Sequence, residues 1–200
     1  AIDRYVGSHP MAGRERGGAI AGRADLFVGR PWVVTAHQTS SAQAITLVKQ
    51  LAQALESSVI EISAADHDRA VGLVSHVPQM ISSLLAARLV PADQNDVNLA
   101  GQGLRDTTRI AASDPELWLQ ILDANSVEVA KVLEQFAADL SEVISALQNL
   151  DDSNSLKVLE SALRAGNQGV EVELLLDLSG SRGLGTRHTQ SRRGHRSRRR

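Results

Sequence analysis

The sequence predicts a mainly α-helical protein with a small α/β part near its N-terminal end, on three observations. Apolar residues recur at helical spacing over most of the chain beyond Ser63. A strand, helix, strand order precedes them between Pro31 and Ile62. The apolar residues are Leu, Val, Ile and Ala, with 42% hydrophobic residues overall and only 2% aromatic, a composition that favours helix and an aliphatic core. A length of 200 residues fits one domain, or one domain and part of another.

Arg4-Tyr5-Val6-Gly7 reads as the end of a short strand, followed by a Gly/Arg-rich loop to Arg30. Pro31-Trp32-Val33-Val34-Thr35 is β-branched and aromatic and predicts a second strand. Ala44, Leu47, Val48, Leu51 and Leu55 line one face of a helix, and Val59-Ile60-Glu61-Ile62 predicts a third strand. Asp66 is a candidate cap for a helix running to about Val90, ended by Pro91. A second helical segment covers Leu104–Ala112, and Ser113-Asp114-Pro115-Glu116 signals the start of a third. Asn125 or Ser126 then opens a long helix to about Leu150, with Val129, Val132, Leu133, Phe136 and Leu140 in its apolar stripe. Asp151-Asp152-Ser153 breaks the chain before a last helix, Ser155 to Ala165, closed by Gly166-Asn167.

Charge divides the chain. All 23 acidic residues lie at or before Asp177, whereas eight of the 21 basic residues are arginines in Arg182–Arg200. So acidic a body argues against nucleic-acid binding, and so few aromatic residues argue against base stacking. The arginine-rich tail cannot fold by burial; it reads as a non-native extension, with a polyanion-binding arm as the rival. There is no cysteine, hence no disulfide, thiolate metal site or cysteine nucleophile, and a cytoplasmic location is the default expectation. No run of about 18 apolar residues and no signal-peptide pattern is apparent, so no membrane association is expected.

A Gly-x-Gly-x-x-Gly turn between a strand and a helix, the hallmark of a pyrophosphate cradle, is absent. The glycines from Gly13 to Gly22 open no periodic helix, and Gly183-Leu184-Gly185 lies in the tail. His9, in Gly7-Ser8-His9-Pro10-Met11-Ala12-Gly13, has the residue type for a general base near neutral pH, although taken alone a loop histidine more often makes one structural hydrogen bond. His76 sits in an apolar helical stretch before Pro78, which should kink the helix; it is a core histidine or it lines a site. His67, between Asp66 and Asp68, can cap or pair locally. No histidine has a second ligand at a recognised metal spacing, so no metal is expected. Arg105 and Arg109 stand four residues apart after Gly101-Gln102-Gly103, which suits a carboxylate or phosphate near a helix N-terminus. A solvated face paired with Asp106 or Asp114 is the alternative.

Taken together these segments resemble the prephenate dehydrogenase family, which includes arogenate dehydrogenases. The resemblance rests on Gly7-Ser8-His9-Pro10-Met11-Ala12-Gly13 with Glu15 and Gly18, on His67-Asp68, on Ser75-His76-Val77-Pro78, and on Gly103-Leu104-Arg105-Asp106-Thr107-Thr108-Arg109 through Pro115 with Trp118. It implies the C-terminal remnant of a Rossmann-type nucleotide-binding domain (residues 1–63), an all-helical substrate-binding and dimerisation domain (64–169), and a poorly structured tail (170–200). It also implies NAD or NADP as cofactor, prephenate or arogenate as substrate, and a homodimer. The expected reaction is oxidative decarboxylation in tyrosine biosynthesis, giving 4-hydroxyphenylpyruvate from prephenate. His9 matches the family's catalytic histidine, which takes the proton of the substrate hydroxyl, and Arg109 matches the arginine that binds a substrate carboxylate. Arg105, Glu15, His76, Asp106 and Trp118 map in or around the pocket, and Ser8 and Pro10 to the cofactor side. The chain begins eight residues before His9, so the glycine fingerprint is expected upstream of it, and with it a serine that assists the histidine. Gln79 stands where some members carry a second histidine. A dehydrogenase for another hydroxy acid and a non-catalytic helical dimer are the remaining expectations.

Overall fold

In a computed structural model of the chain, residues 2–13 and 22–181 are described, with side chains through Val172. Glu15, Gly18 and the arginine-rich stretch after Ser181 lie outside the described residues. The chain divides into two compact units, Ala1–Ser145 and Ala146–Arg200.

In the first unit, strands β1 (Gly7–Pro10), β2 (Pro31–Thr35) and β3 (Ser58–Glu61) form one sheet in that order. β1 runs antiparallel and β3 parallel to the central β2. A 3-10 turn, Ile2–Arg4, precedes the sheet. The first strand therefore begins at Gly7, where the sequence reading ends it, and His9 lies within a strand instead of in a loop. Pairing with β2, a contact remote in sequence, decides this against the local glycine and proline. Gly7 is opposite Thr35, and a Cβ at Gly7 would run into Thr35 Oγ1.

Trp32 and Val34 alternate onto the face that packs on Ala52 of α1 (Ala42–Ala54), with Val48, Leu55, Val59 and Phe27 around them. Val33, also buried, belongs to the opposite face, and His9 is its direct partner across the β1–β2 ladder. Residues directly opposite share a face, so the register places the His9 side chain away from α1. Helix α2 (Ala64–Val71) packs against β2 as well.

Ser63, not Asp66, caps α2: its Oγ accepts the Asp66 N–H at 3.0 Å and donates to Asp66 Oδ2 at 2.7 Å. Asp66 thus occupies the third helical position, where its backbone N–H is capped and its carboxylate orients the capping hydroxyl. A π-turn, Gly72–His76, carries α2 directly into α3 (Val77–Ala87). Pro78 has no N–H for the ladder, and the widened turn just ahead of it absorbs the mismatch. The helix ends at Ala87, short of Val90. From Ala64 to Ala87 it is 24 residues, with a mean hydropathy of 1.4 over its most apolar window, long and apolar enough to cross a membrane, contrary to expectation. It carries buried His76, Gln79 and Ser82, as a core helix of a folded domain does.

A short helix, α4 (Gln94–Val97), has no counterpart in the sequence reading because four residues carry no period. The segment Leu104–Ala112 divides into α5 (Gln102–Thr108) and a 3-10 turn, Arg109–Ala112; both pack on α3. Asp114 caps α6 (Pro115–Ala124) by accepting the Glu116 N–H at 3.0 Å, with Pro115 in the first turn, as its sequence signals. Helix α7 spans Ser126–Gln148.

The second unit holds the end of α7 and α8 (Ser155–Ser181), with Ser155 Oγ donating to the Asn149 carbonyl at 2.7 Å. α8 passes through Gly166 instead of stopping there, so residues 170–181, assigned to the structureless tail, are helical. A glycine inside a helix costs about 1 kcal/mol, which one long helix tolerates.

Candidate active site

The sheet register and the start of α2 bring together two histidines 58 residues apart. His9 Nδ1 lies 2.9 Å from His67 Nε2, with the rings edge to face at a centroid separation of 5.2 Å. His67 Nδ1 in turn lies 2.9 Å from Asp68 Oδ1. His9 is exposed and His67 half-buried. A chain of imidazole, imidazole and carboxylate therefore leads from an accessible ring on β1 to α2.

His76, buried, occupies the end of the π-turn. Asn125, the residue between α6 and α7, is also buried; its Nδ2 donates to the Asp68 carbonyl oxygen at 2.8 Å and stands 3.2 Å from His76 Nδ1. Because the carbonyl can only accept, Asn125 must present its amide nitrogen here, and the same N–H2 group donates to His76 Nδ1. A neutral His76 consequently carries its proton on Nε2. Trp118, on α6, meets the His76 ring edge to face at 6.0 Å. Asp68 is the junction of both branches, through its carboxylate to His67 and through its backbone to Asn125 and His76.

Burial, and behind it the neighbouring His67, hold the His9 imidazole below the usual 6.5. His76 is held down chiefly by burial, then by His9 and His67, against an opposing pull from Asp68. Both shifts favour the uncharged ring. One can take a proton and the other can donate a hydrogen bond.

The arginines occupy different ground from that expected. Arg105 is in the last turn of α5, and Arg109 is its C-cap and opens the following 3-10 turn, so the pair spans the join of two short helical elements instead of lying within one helix. Both are exposed, and Asp106 accepts from Gln102 Nε2 at 2.7 Å. Their segment connects to the histidines through α3, whose first residue follows His76 and on which α5 and the 3-10 turn pack. Ser8 and Pro10 flank His9 on β1. Sequence reasoning took His67 as a local pair and Asn125 as a helix boundary, and so missed both as site residues. Histidine followed by aspartate, and an asparagine between two helices, are the signals that mark them.

Among the described residues the β2-to-α1 connection, Ala36–Ser41, contains no glycine, and Ser41 caps α1 by accepting the Ala44 N–H. No pyrophosphate cradle of the Gly-x-Gly-x-x-Gly type is therefore formed by the described residues.

Two family models account for most of the chain. The nucleotide-binding domain of prephenate dehydrogenase matches residues 1–61, and its dimerization domain matches residues 63–161. The chain is 34% identical over 150 residues to "Probable prephenate dehydrogenase NovF" of Streptomyces niveus, covering 74% of this chain and 41% of that protein. It is similar to the crystal structure of prephenate dehydrogenase from A. aeolicus in complex with hydroxyphenyl propionate and NAD+, with 26% identity and a TM-score of 0.72 over 84% of this chain and 59% of that one. Arogenate dehydrogenase from Synechocystis superposes with a TM-score of 0.66 at 26% identity, over 82% of this chain and 61% of that one. The chain spans between 41% and 56% of the length of the curated relatives it matches. His9 falls in the segment matched by the first model and His67, Asp68 and His76 in that matched by the second, so the histidine cluster is built across the join of the two. With both domains matched in order, the chain belongs to the prephenate dehydrogenase family.

Proposed function

We propose that the protein catalyses the nicotinamide-dependent oxidative decarboxylation of prephenate to 4-hydroxyphenylpyruvate, with His9 as the proton acceptor. The observation that carries this reading is the accessible His9 ring, held below the usual imidazole range and backed by His67 and Asp68. NAD or NADP, when bound, supplies the hydride acceptor, and Ser8 and Pro10, which flank His9 on β1, are assigned to the cofactor side. His9 takes the proton of the ring hydroxyl as hydride leaves the same carbon. Loss of carbon dioxide then sends the electron pair of the broken carbon–carbon bond through the ring to that oxygen. The oxygen needs a proton back, and His9, now charged, returns it. Base and acid are thus one residue, and no net proton is released.

Arg109 is assigned to a substrate carboxylate, with Arg105, Asp106 and Trp118 around it and Glu15 as a further pocket residue. A guanidinium keeps its charge at any working pH, which suits it to a dianionic substrate. His76, with its proton on Nε2, contributes a neutral donor. Residues 1–63 form the nucleotide-binding part and 64–169 the substrate-binding and dimerising part. A homodimer fits the exposed Phe136, Leu140 and Ile144, which fall on one face of α7. A cytoplasmic location fits a chain without cysteine.

Arogenate is the second substrate reading. Gln79 is buried on α3, with its amide 3.4 Å from Ser83 Oγ, where some family members have a histidine. Steady-state turnover by the full-length protein with prephenate and with arogenate, each with NAD+ and NADP+, tests the assignment. Prephenate-dependent reduction of the cofactor with release of carbon dioxide is expected. Turnover of arogenate alone transfers the assignment to that substrate, and turnover of neither overturns it.

A further inference from the structure

The chain from His9 to Asp68 does more than bring two rings into contact. A carboxylate accepts hydrogen bonds and donates none, so His67 Nδ1, 2.9 Å from Asp68 Oδ1, must carry a proton. In a neutral His67 the other nitrogen, Nε2, then has a lone pair. His9 Nδ1 lies 2.9 Å from that lone pair, and the contact is a hydrogen bond only if His9 Nδ1 holds the proton and donates it. We infer that His67, oriented by Asp68, is a positioning residue that holds His9 in its Nδ1–H form and leaves His9 Nε2 as the basic nitrogen.

The consequence reaches the proton transfer. When His9 takes a proton on Nε2 it becomes a cation whose Nδ1–H already points at the His67 lone pair, with the Asp68 charge behind His67. The cation is held without any reorientation of the pair. Among the described residues, the charged or titratable groups around His9 are His67 on α2, with Asp68 behind it, and His76 on the π-turn; His9 and His67 both act on His76. If His67 were itself charged, both its nitrogens would donate, His9 Nδ1 would have to accept, and the proton on His9 Nε2 would block the base. The arrangement therefore works only with a neutral His67.

The rate part of this inference rests on the reading of His9 as proton acceptor; the tautomer part does not. Nitrogen-15 NMR of the full-length protein with labelled histidine, at neutral pH, reads the tautomer directly. His9 is expected to show a protonated Nδ1 and an unprotonated Nε2, and His67→Leu to shift it toward the opposite form. In turnover of prephenate with NAD+, His67→Leu should lower kcat by roughly 10²-fold with KM within about twofold. His67→Gln, whose side-chain oxygen can accept the Nδ1–H, should recover most of the loss. A protonated Nε2 on His9 in the unaltered protein overturns the inference whether or not any variant folds. So does an unchanged kcat in His67→Leu. Absence of prephenate turnover with the expected tautomer in place contradicts the substrate assignment and leaves the positioning of His9 standing.

Discussion

Replacing Asn125 by alanine removes a single amide group that serves two acceptors in the middle of the first unit. One is His76 Nδ1, on a ring that is 7% exposed; the other is the Asp68 carbonyl oxygen. The two losses differ in size. The Asp68 oxygen also receives the backbone N–H of Gly72, so it loses one of two partners, at a cost of about 0.5–1.5 kcal/mol. His76 Nδ1 is a buried acceptor left without this donor, at a cost of about 1–3 kcal/mol. Together they come to about 1.5–4.5 kcal/mol, or a fall in Tm of about 3–18 °C for a protein of this size. Chemical and thermal denaturation of Asn125→Ala measures it. A loss under about 0.5 kcal/mol, the range of an ordinary surface substitution, would refute the assignment of Asn125 as the bond between Asp68 and His76.

Other expected outcomes follow from the same geometry. Ser63→Ala removes the cap of the helix that carries His67 and should cost about 1 kcal/mol, read from the urea midpoint; no change would mean that Asp66 caps the helix unaided. His9 and His76 are both held below their unfolded value, so the folded protein binds fewer protons than the unfolded chain just below that value. Their contribution to stability is therefore full above about pH 6.5 and is lost as pH falls through that region. Urea midpoints taken downward from neutral pH should fall, and fall less steeply in His76→Gln; an equal slope in the two proteins would be inconsistent with a depressed His76. Arg109→Ala should raise the KM for prephenate with a smaller effect on kcat, and unchanged kinetics would remove Arg109 from the substrate site.

The parts of the fold that were legible in the sequence are those decided by neighbours in the chain. Asp114-Pro115 starts α6 where a cap and a first-turn proline should, and the β-branched run Pro31–Thr35 is a strand. The parts that were not legible are decided by remote partners. His9 lies in a strand because β2 offers it a ladder, and nothing in Gly7–Pro10 announces that. α8 runs on through Gly166 although the local signal is a stop. Arg105 and Arg109 are legible by their spacing, but the change from α to 3-10 geometry at Arg109, where one continuous helical segment reads from the sequence, is not.

The candidate site follows the same rule. His9 was identifiable by residue type and by the motif around it, whereas its partner was not, because 58 residues of chain separate the two rings and only the sheet register and the Ser63 cap bring them together. Asn125 was legible as a helix boundary. That it also fixes the proton of His76 depends on the Asp68 carbonyl, which no sequence pattern reveals.

The most direct test of the central claim is the turnover of prephenate by the His9→Asn variant of the full-length protein at saturating substrate and cofactor. Asparagine keeps a group near the position of Nδ1 to meet His67 but has nothing to accept a proton at the position of Nε2. The expected result is a fall in kcat of roughly 10²- to 10⁴-fold, with a KM for prephenate that changes little. A kcat equal to that of the unaltered protein would contradict it.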